Sequence, residues 1–257
     1  MQTAQSLSIP FPEFATFATL PQEGLPQEPL QTPILEENLL NICKSNENSL
    51  PLQANLIFDD TMAKSIEEKV EDWAKGFFAP GSYFTKTASI NPEIDEALKN
   101  APSKSGGAGH NYPDIKYLLQ TPQGKYIPVM IEVKGTKGTL AKINEQNVPD
   151  NTNSKGEPAY NNIAKFAVNG AVHYANAILK YSKTYNEVIA IGVNGYDQPN
   201  GDTIYEISTW YISKENLFIP KYVGDFSDLS FLQPKHTAKL LEKIKNIGLT
   251  DEEIERR

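Results

Sequence analysis

Met62, Ile66, Val70, Trp73 and Phe77 recur at spacings of 4, 4, 3 and 4. They form one stripe on a 3.6-residue period and predict a helix over Asp60–Phe78, its start capped by Asp60 or Thr61. A shorter helix is expected over Asn91–Asn100. The period then changes to two. Ile115–Thr121 reads as a strand, "PQGK" as a turn, and Tyr126–Lys134 as the antiparallel return. In the return strand Ile127, Val129, Ile131 and Val133 share a core face, and Met130, Glu132 and Lys134 share the other. A long polar loop, 136–159, is expected to be mobile or to face a ligand. Apolar residues at helical spacing then predict one helix over Asn162–Ser182. "EVIAIGV" (Glu187–Val193) is almost continuously apolar, as in a strand buried on both faces. Thr203–Ser213 reads as a further strand and Pro234–Asn246 as a terminal helix. Helix, strand, strand, helix, strand, strand in that order predicts an α/β fold, a central mixed β-sheet flanked by helices. No internal repeat is evident.

Composition divides the 257 residues into three. Residues 1–58 are rich in proline and glutamine and read as an extended N-terminal arm, with a short helix over Thr32–Cys43. Residues 59–233 form the expected domain. Residues 234–257 hold the last helix and the charged ending "LTDEEIERR", read as the start of a linker to downstream domains of the same polypeptide. No apolar run approaches the roughly 20 residues that span a bilayer. The N-terminus lacks the basic-then-apolar pattern of a secretory signal. The single cysteine, Cys43, excludes an internal disulfide and a multi-cysteine zinc site, and the three histidines have no metal-ligand spacing. No membrane partner and a cytoplasmic location are therefore expected.

Net charge is -8, which speaks against a nucleic-acid partner, but the charges are not spread evenly. Lys99 to Lys183 contains 11 lysines and 5 acids, a local +6 in an otherwise acidic chain. Fields are screened beyond about 10 Å, so such a stretch can still bind phosphate. Lys137, Lys142 and Lys165 are the candidate DNA contacts. Asn169, one turn from Lys165 and one from His173, extends a polar stripe toward DNA or the active site. Tyr174 reads as core. "SGGAGHNY" lacks the Gly-Lys-Ser/Thr of a nucleotide-binding loop.

The chemistry gathers on the hairpin. With a turn around Gln123-Gly124, residue i pairs with roughly 247 minus i. Asp114 then faces Val133, between Glu132 and Lys134, and two carboxylates and one ammonium converge. Two close carboxylates repel, and removing either is expected to raise stability where no metal is bound. A divalent cation relieves the repulsion, and few hard oxygens suit Mg²⁺, with Mn²⁺ as substitute. Its ligands would be Asp114, Glu132 and the Val133 carbonyl. Lys134 would orient or deprotonate a water and stabilise a pentavalent phosphate.

Pro113-Asp114, 17 intervening residues, then Glu132-Val133-Lys134 resembles the PD-(D/E)xK nuclease superfamily. The likeness runs from about Thr61 to Ser213. "FAVNGAVHYANAILK" (Phe166–Lys180) is similar to the helix after the ExK strand in nuclease domains of restriction enzymes fused to an adenine-N6 methyltransferase or linked to a helicase. The resemblance implies a restriction-endonuclease-like core and Mg²⁺-dependent cleavage of double-stranded DNA. It also implies methyltransferase or helicase domains downstream. A further acid from the first helix is implied near the metal: Glu67, with Glu68 and Glu71 as rivals. Two other readings remain open: a silent nuclease-fold module that binds DNA or docks protein, and a repair or RNA nuclease.

Overall fold

The computed structural model describes residues 64–108, 111–216 and 218–248. The arm, its short helix, Asp60, Thr61 and Met62 lie outside the described residues. So do His110 and the charged ending from Leu249 onward.

The first helix, α1, runs Ile66–Lys75 and is shorter at both ends than the stripe predicts. Ser65 starts it: its hydroxyl accepts from the Glu68 amide, and Glu68 returns a carboxylate to the Ser65 amide. This reciprocal box satisfies two amide donors that a helix start leaves open. The helix stops at Gly76, and Phe77 and Phe78 reach the core from the turn beyond. A three-residue strand, β1 (Tyr83–Thr85), precedes α2 (Pro92–Asn100), which Asn91 caps through the Ile94 amide. The hairpin follows as β2 (Ile115–Gln120) and β3 (Tyr126–Lys134).

The predicted helix over Asn162–Ser182 is two helices, α3 (Tyr160–Lys165) and α4 (Ala167–Tyr181). They part at Phe166, whose backbone is extended. The cause lies in the preceding loop. The Ala167 amide donates to the Thr139 carbonyl and the Val168 amide to the Leu140 carbonyl, replacing the bonds a continuous helix would make. Strand β4 (Glu187–Asp197) runs four residues past the apolar stretch. Its buried Asn194 is satisfied by Thr139 and Glu206, so the polar residue does not end the strand. After β5 (Thr203–Ser213) comes an edge strand, β6 (Lys221–Phe226). Pro234–His236 is a 3₁₀ turn leading into α5 (Thr237–Lys245), which plants Leu240 in the core of the domain.

The six strands lie in sequence order, with β3 and β4 parallel and every other pair antiparallel. This is an α/β fold with a mixed sheet and helices on both faces, an architecture consistent with a restriction-endonuclease-like core. On one face α1 and α5 cover Ile127, Val129, Ile131 and Val133, as predicted. On the other, α2 and α4 cover Met130, Val188 and Ala190. No described helix is long and apolar enough to cross a membrane.

The polar loop 136–159 contains a nine-residue repeat that the sequence alone did not reveal. Asn144 and Asn153 each accept two following amides on the side-chain oxygen, from Gln146 and Val148 and from Lys155 and Glu157. Asn147 and Gly156 hold equivalent left-handed positions. Pro149 and Pro158 close equivalent bridges with Ile143 and Thr152. The loop is therefore two successive tight turns of one design.

Candidate active site

The hairpin register differs by one residue from the expected one. Ile115 faces Ile131, because the turn is centred on Gln123: the Thr121 amide bonds the Lys125 carbonyl, with Gly124 left-handed. Continuing that register sets Asp114 opposite Glu132 rather than Val133, and opposite residues of an antiparallel pair point to the same side. The two carboxylates act on each other through their charges. One Asp114 oxygen still reaches Val133, accepting its amide at 2.8 Å.

Both carboxylates are buried, Glu132 completely. Three lysines answer them. Lys86 lies 3.0 Å from Asp114 Oδ1. Lys104 and Lys134 both donate to Glu132 Oε1, at 2.5 and 2.7 Å. The other Glu132 oxygen accepts from the Tyr174 hydroxyl at 3.2 Å. Lys134 also donates to the Val133 carbonyl at 3.0 Å and stands 3.9 Å from Glu67. Of the three candidate acids on α1, Glu67 is the one beside Lys134, and the charge of Glu71 also acts on Lys86. Glu68 is held in the helix cap, and Glu71 pairs with Lys75.

Two glycines permit this closeness. A Cβ on Gly135 would come within 2.5 Å of the Glu67 amide nitrogen, so α1 can approach the end of β3 only over a residue without a side chain. A Cβ on Gly170 would press on Glu132 Cγ at 3.2 Å.

The electrostatics follow from burial and charge. Burial, and then the charge of Asp114, push the Glu132 carboxyl above its ordinary range, against the pull of Lys134 and Lys104. Burial works against the Lys134 ammonium, but Glu132, Glu67 and Asp114 together hold it above the usual lysine value. Lys86 is likewise raised: burial disfavours its charge and Asp114 outweighs that. Burial, then Glu132, drives the Tyr174 phenol far up, so it remains a hydrogen-bond donor. Three ammonium groups thus oppose the mutual repulsion of the carboxylates, but at Glu132 they do not outweigh burial and Asp114.

The remaining candidates are scattered. Lys137, Lys142 and Lys165 are exposed, Lys137 over the Tyr196 ring and Lys165 over Phe166. Asn169 is fully buried. Its amide bonds both the carbonyl and the N–H of Lys142, and also Asn151, fastening the double-turn loop to α4. It is a latch rather than a surface contact, and the expected stripe of Lys165, Asn169 and His173 is broken there. The His173 Nε2 lies 2.8 Å from the Pro102 carbonyl. Burial lowers its pKa.

Sequence reasoning did not single out Lys86 or Lys104. Lys104 lies in the loop that leads to Pro113-Asp114, and nothing but its place in the basic stretch marked it. Tyr174 was legible as core, but its hydroxyl contact was not.

The oxygens of Asp114, Glu132 and the Val133 carbonyl are hard donors of the kind that suit Mg²⁺. Lys134 already bridges Glu132 Oε1 and the Val133 carbonyl, so these two oxygens face a common cation position. Among the described residues no three acidic, histidine or cysteine side chains gather as a metal cage. Two carboxylates and a carbonyl fit an ion that keeps several of its waters.

Fold and site together define an α/β protein with a mixed sheet and a buried two-carboxylate, three-lysine cluster at the end of a central strand. No family profile matches the chain. Among curated proteins it is similar to RM.BcgI, a type II restriction enzyme and methyltransferase of Heyndrickxia coagulans. The two are 26% identical over 156 residues, which cover 61% of this chain and 21% of that protein. The chain thus spans about a fifth of that relative's length. The similarity supports a relationship to restriction enzymes. No solved structure matches the chain.

Proposed function

We propose that the chain is a PD-(D/E)xK endonuclease domain that hydrolyses phosphodiester bonds of double-stranded DNA, as the cleavage part of a restriction–modification enzyme. The observation that carries this reading is the meeting of Asp114 with Glu132, Val133 and Lys134 across one hairpin. The likeness to RM.BcgI supports a polypeptide that also carries methyltransferase domains.

Mg²⁺, or Mn²⁺ in its place, held by Asp114, Glu132 and the Val133 carbonyl would polarise a phosphoryl oxygen and acidify a bound water. The protein's own contribution is positional. The Val133 amide fixes Asp114, and Tyr174 fixes Glu132, leaving Oε1 toward the cation position. Lys134, held charged by its acidic neighbours, donates hydrogen bonds rather than withdrawing a proton. It orients the attacking water, whose proton passes to solvent, and stabilises charge that grows on phosphorus-bound oxygen as one P–O bond forms and the bond to the leaving sugar oxygen, which takes a proton from solvent, breaks. Exposed Lys137, Lys142 and Lys165 hold the DNA backbone.

The test is cleavage of supercoiled plasmid by the full polypeptide with Mg²⁺. Asp114→Asn and Glu132→Gln should abolish it, and Lys134→Met should slow it at least about a hundredfold. Cleavage by the Asp114→Asn/Glu132→Gln double variant would rule out this site.

A further inference from the structure

We infer that Lys104 is an exchangeable counter-cation: it neutralises Glu132 in the free protein and passes to a DNA phosphate when a divalent cation enters. The inference rests on the nuclease reading above and goes beyond it, because it assigns a coupling between metal and DNA to one side chain.

Asp114, Glu132 and Glu67 supply three negative charges to the cluster, and Lys86, Lys104 and Lys134 supply three positive ones. The cluster is balanced as it stands. A divalent cation would leave it two charges in excess in a largely buried place, where such an excess is costly. Either an ammonium withdraws or an anion arrives, and exchange of one lysine onto a phosphate does both.

Geometry selects the lysine. Lys134 is held by Glu132, the Val133 carbonyl and nearby Glu67, and its side chain is 13% exposed. Lys86 has the more exposed side chain, 51%, but it pairs with the other carboxylate, so its departure would leave both ammonium groups on Glu132. Lys104 pairs only with Glu132 among the ion pairs of the site, and its side chain is 29% exposed. It rises from a turn that is itself well tied: Ser103 bonds Gly107 through its amide and again through its hydroxyl, and the Gly106 amide bonds the Ser103 carbonyl. The turn holds its place while the side chain rotates outward. Its departure removes one of the two ammonium groups on Glu132 Oε1, and Lys134, which also donates to the Val133 carbonyl, stays.

Two consequences follow. Without DNA, Lys104 competes with the metal for Glu132, so metal binds weakly. With DNA, the competition ends, and by thermodynamic reciprocity the metal strengthens DNA binding by the same factor.

Free Mn²⁺ measured by electron paramagnetic resonance, with the full chain and no DNA, tests the inference apart from cleavage. Lys104→Met should bind Mn²⁺ at least about fivefold tighter than wild type, since one unit charge about 4 Å away is removed. Lys104→Arg should bind as wild type does, and Glu132→Gln should lose binding. With Ca²⁺ in place of Mn²⁺, Lys104→Met should bind duplex DNA more weakly, with a salt slope smaller by about one. Thermal melts identify any variant that fails to fold, and Lys104→Gln then substitutes for Lys104→Met. Equal Mn²⁺ affinity in wild type and Lys104→Met, with Glu132→Gln still defective, would overturn the exchange and leave the metal site standing. If no form binds Mn²⁺, the metal reading fails, and the exchange fails with it.

Discussion

Replacing Glu132 by Gln keeps shape and removes one charge, and its effect on stability can be worked out from the cluster. Glu132 is fully buried, with two ammonium groups within 2.7 Å of one oxygen and a phenol on the other. Removing one partner of a buried ion pair costs about 3–5 kcal/mol. Against that, the burial penalty of the carboxylate and its repulsion with Asp114 both vanish, and Lys104 can turn to water. The Glu132 carboxyl sits above its ordinary range, so at neutral pH these two outweigh the lysines and its charge is held at a net cost. Removing the charge should therefore raise stability, by about 1 kcal/mol. At about 2–4 °C per kcal/mol for a domain of this size, the melting temperature should rise by about 2–4 °C. The measurement is calorimetry at neutral pH with a chelator present, so that no metal contributes. Glu67→Gln is the control, a half-exposed partner whose loss should cost less than about 1 kcal/mol. A lowered melting temperature for Glu132→Gln would show that the lysines outweigh burial and the repulsion between the carboxylates.

Three further outcomes are expected. Gly135→Ala should lower stability by about 1–3 kcal/mol, seen as a lower melting temperature, because its methyl meets the backbone of α1 at Glu67. Glu93 accepts from the Thr184 amide, the Ser182 hydroxyl and the Lys183 amide, which hold its carboxyl down at about 2. Its contribution is present above its ordinary value of 4.5 and is lost as pH falls from there toward 2. After allowance for its exposure it amounts to about 1 kcal/mol, so melting curves between pH 5 and 2.5 should be flatter for Glu93→Gln. Charge reversal at Lys137, Lys142 or Lys165 should weaken binding to all duplex sequences alike and reduce the salt dependence of affinity. Unchanged affinity in those variants would place the DNA on another surface.

Patterns that depend on neighbours in sequence were readable, and patterns that depend on distant partners were not. The alternation in Tyr126–Lys134 placed both faces of β3, and the Pro113–Lys134 spacing brought Asp114 and Glu132 together, because a hairpin is a local structure. The one-residue register error came from the turn, whose centre is set by the bond between Thr121 and Lys125. Strands β1 and β6 are edges of three and six residues, too short for a period to stand out. The break at Phe166 depends on the Thr139 and Leu140 carbonyls, more than 25 residues back. Asn169 read as a surface polar residue because its partners, Lys142 and Asn151, are also remote. Lys86 and Lys104 each reach a carboxylate 28 positions away, which no local pattern encodes.

Glu132 and Val133 lie near the end of β3, where it pairs with β4 and is covered on both faces. Local opening events, which free loops and termini at small cost, cannot unmake the part of the cluster that β3 carries. The Val133 amide, bound to the Asp114 carboxylate, should exchange with solvent hydrogen only as fast as the whole domain unfolds. The lysine on the Ser103 turn belongs to a less protected layer. The domain therefore joins a nearly permanent anionic floor to a more labile cationic rim, and adjustment to a substrate falls to the rim.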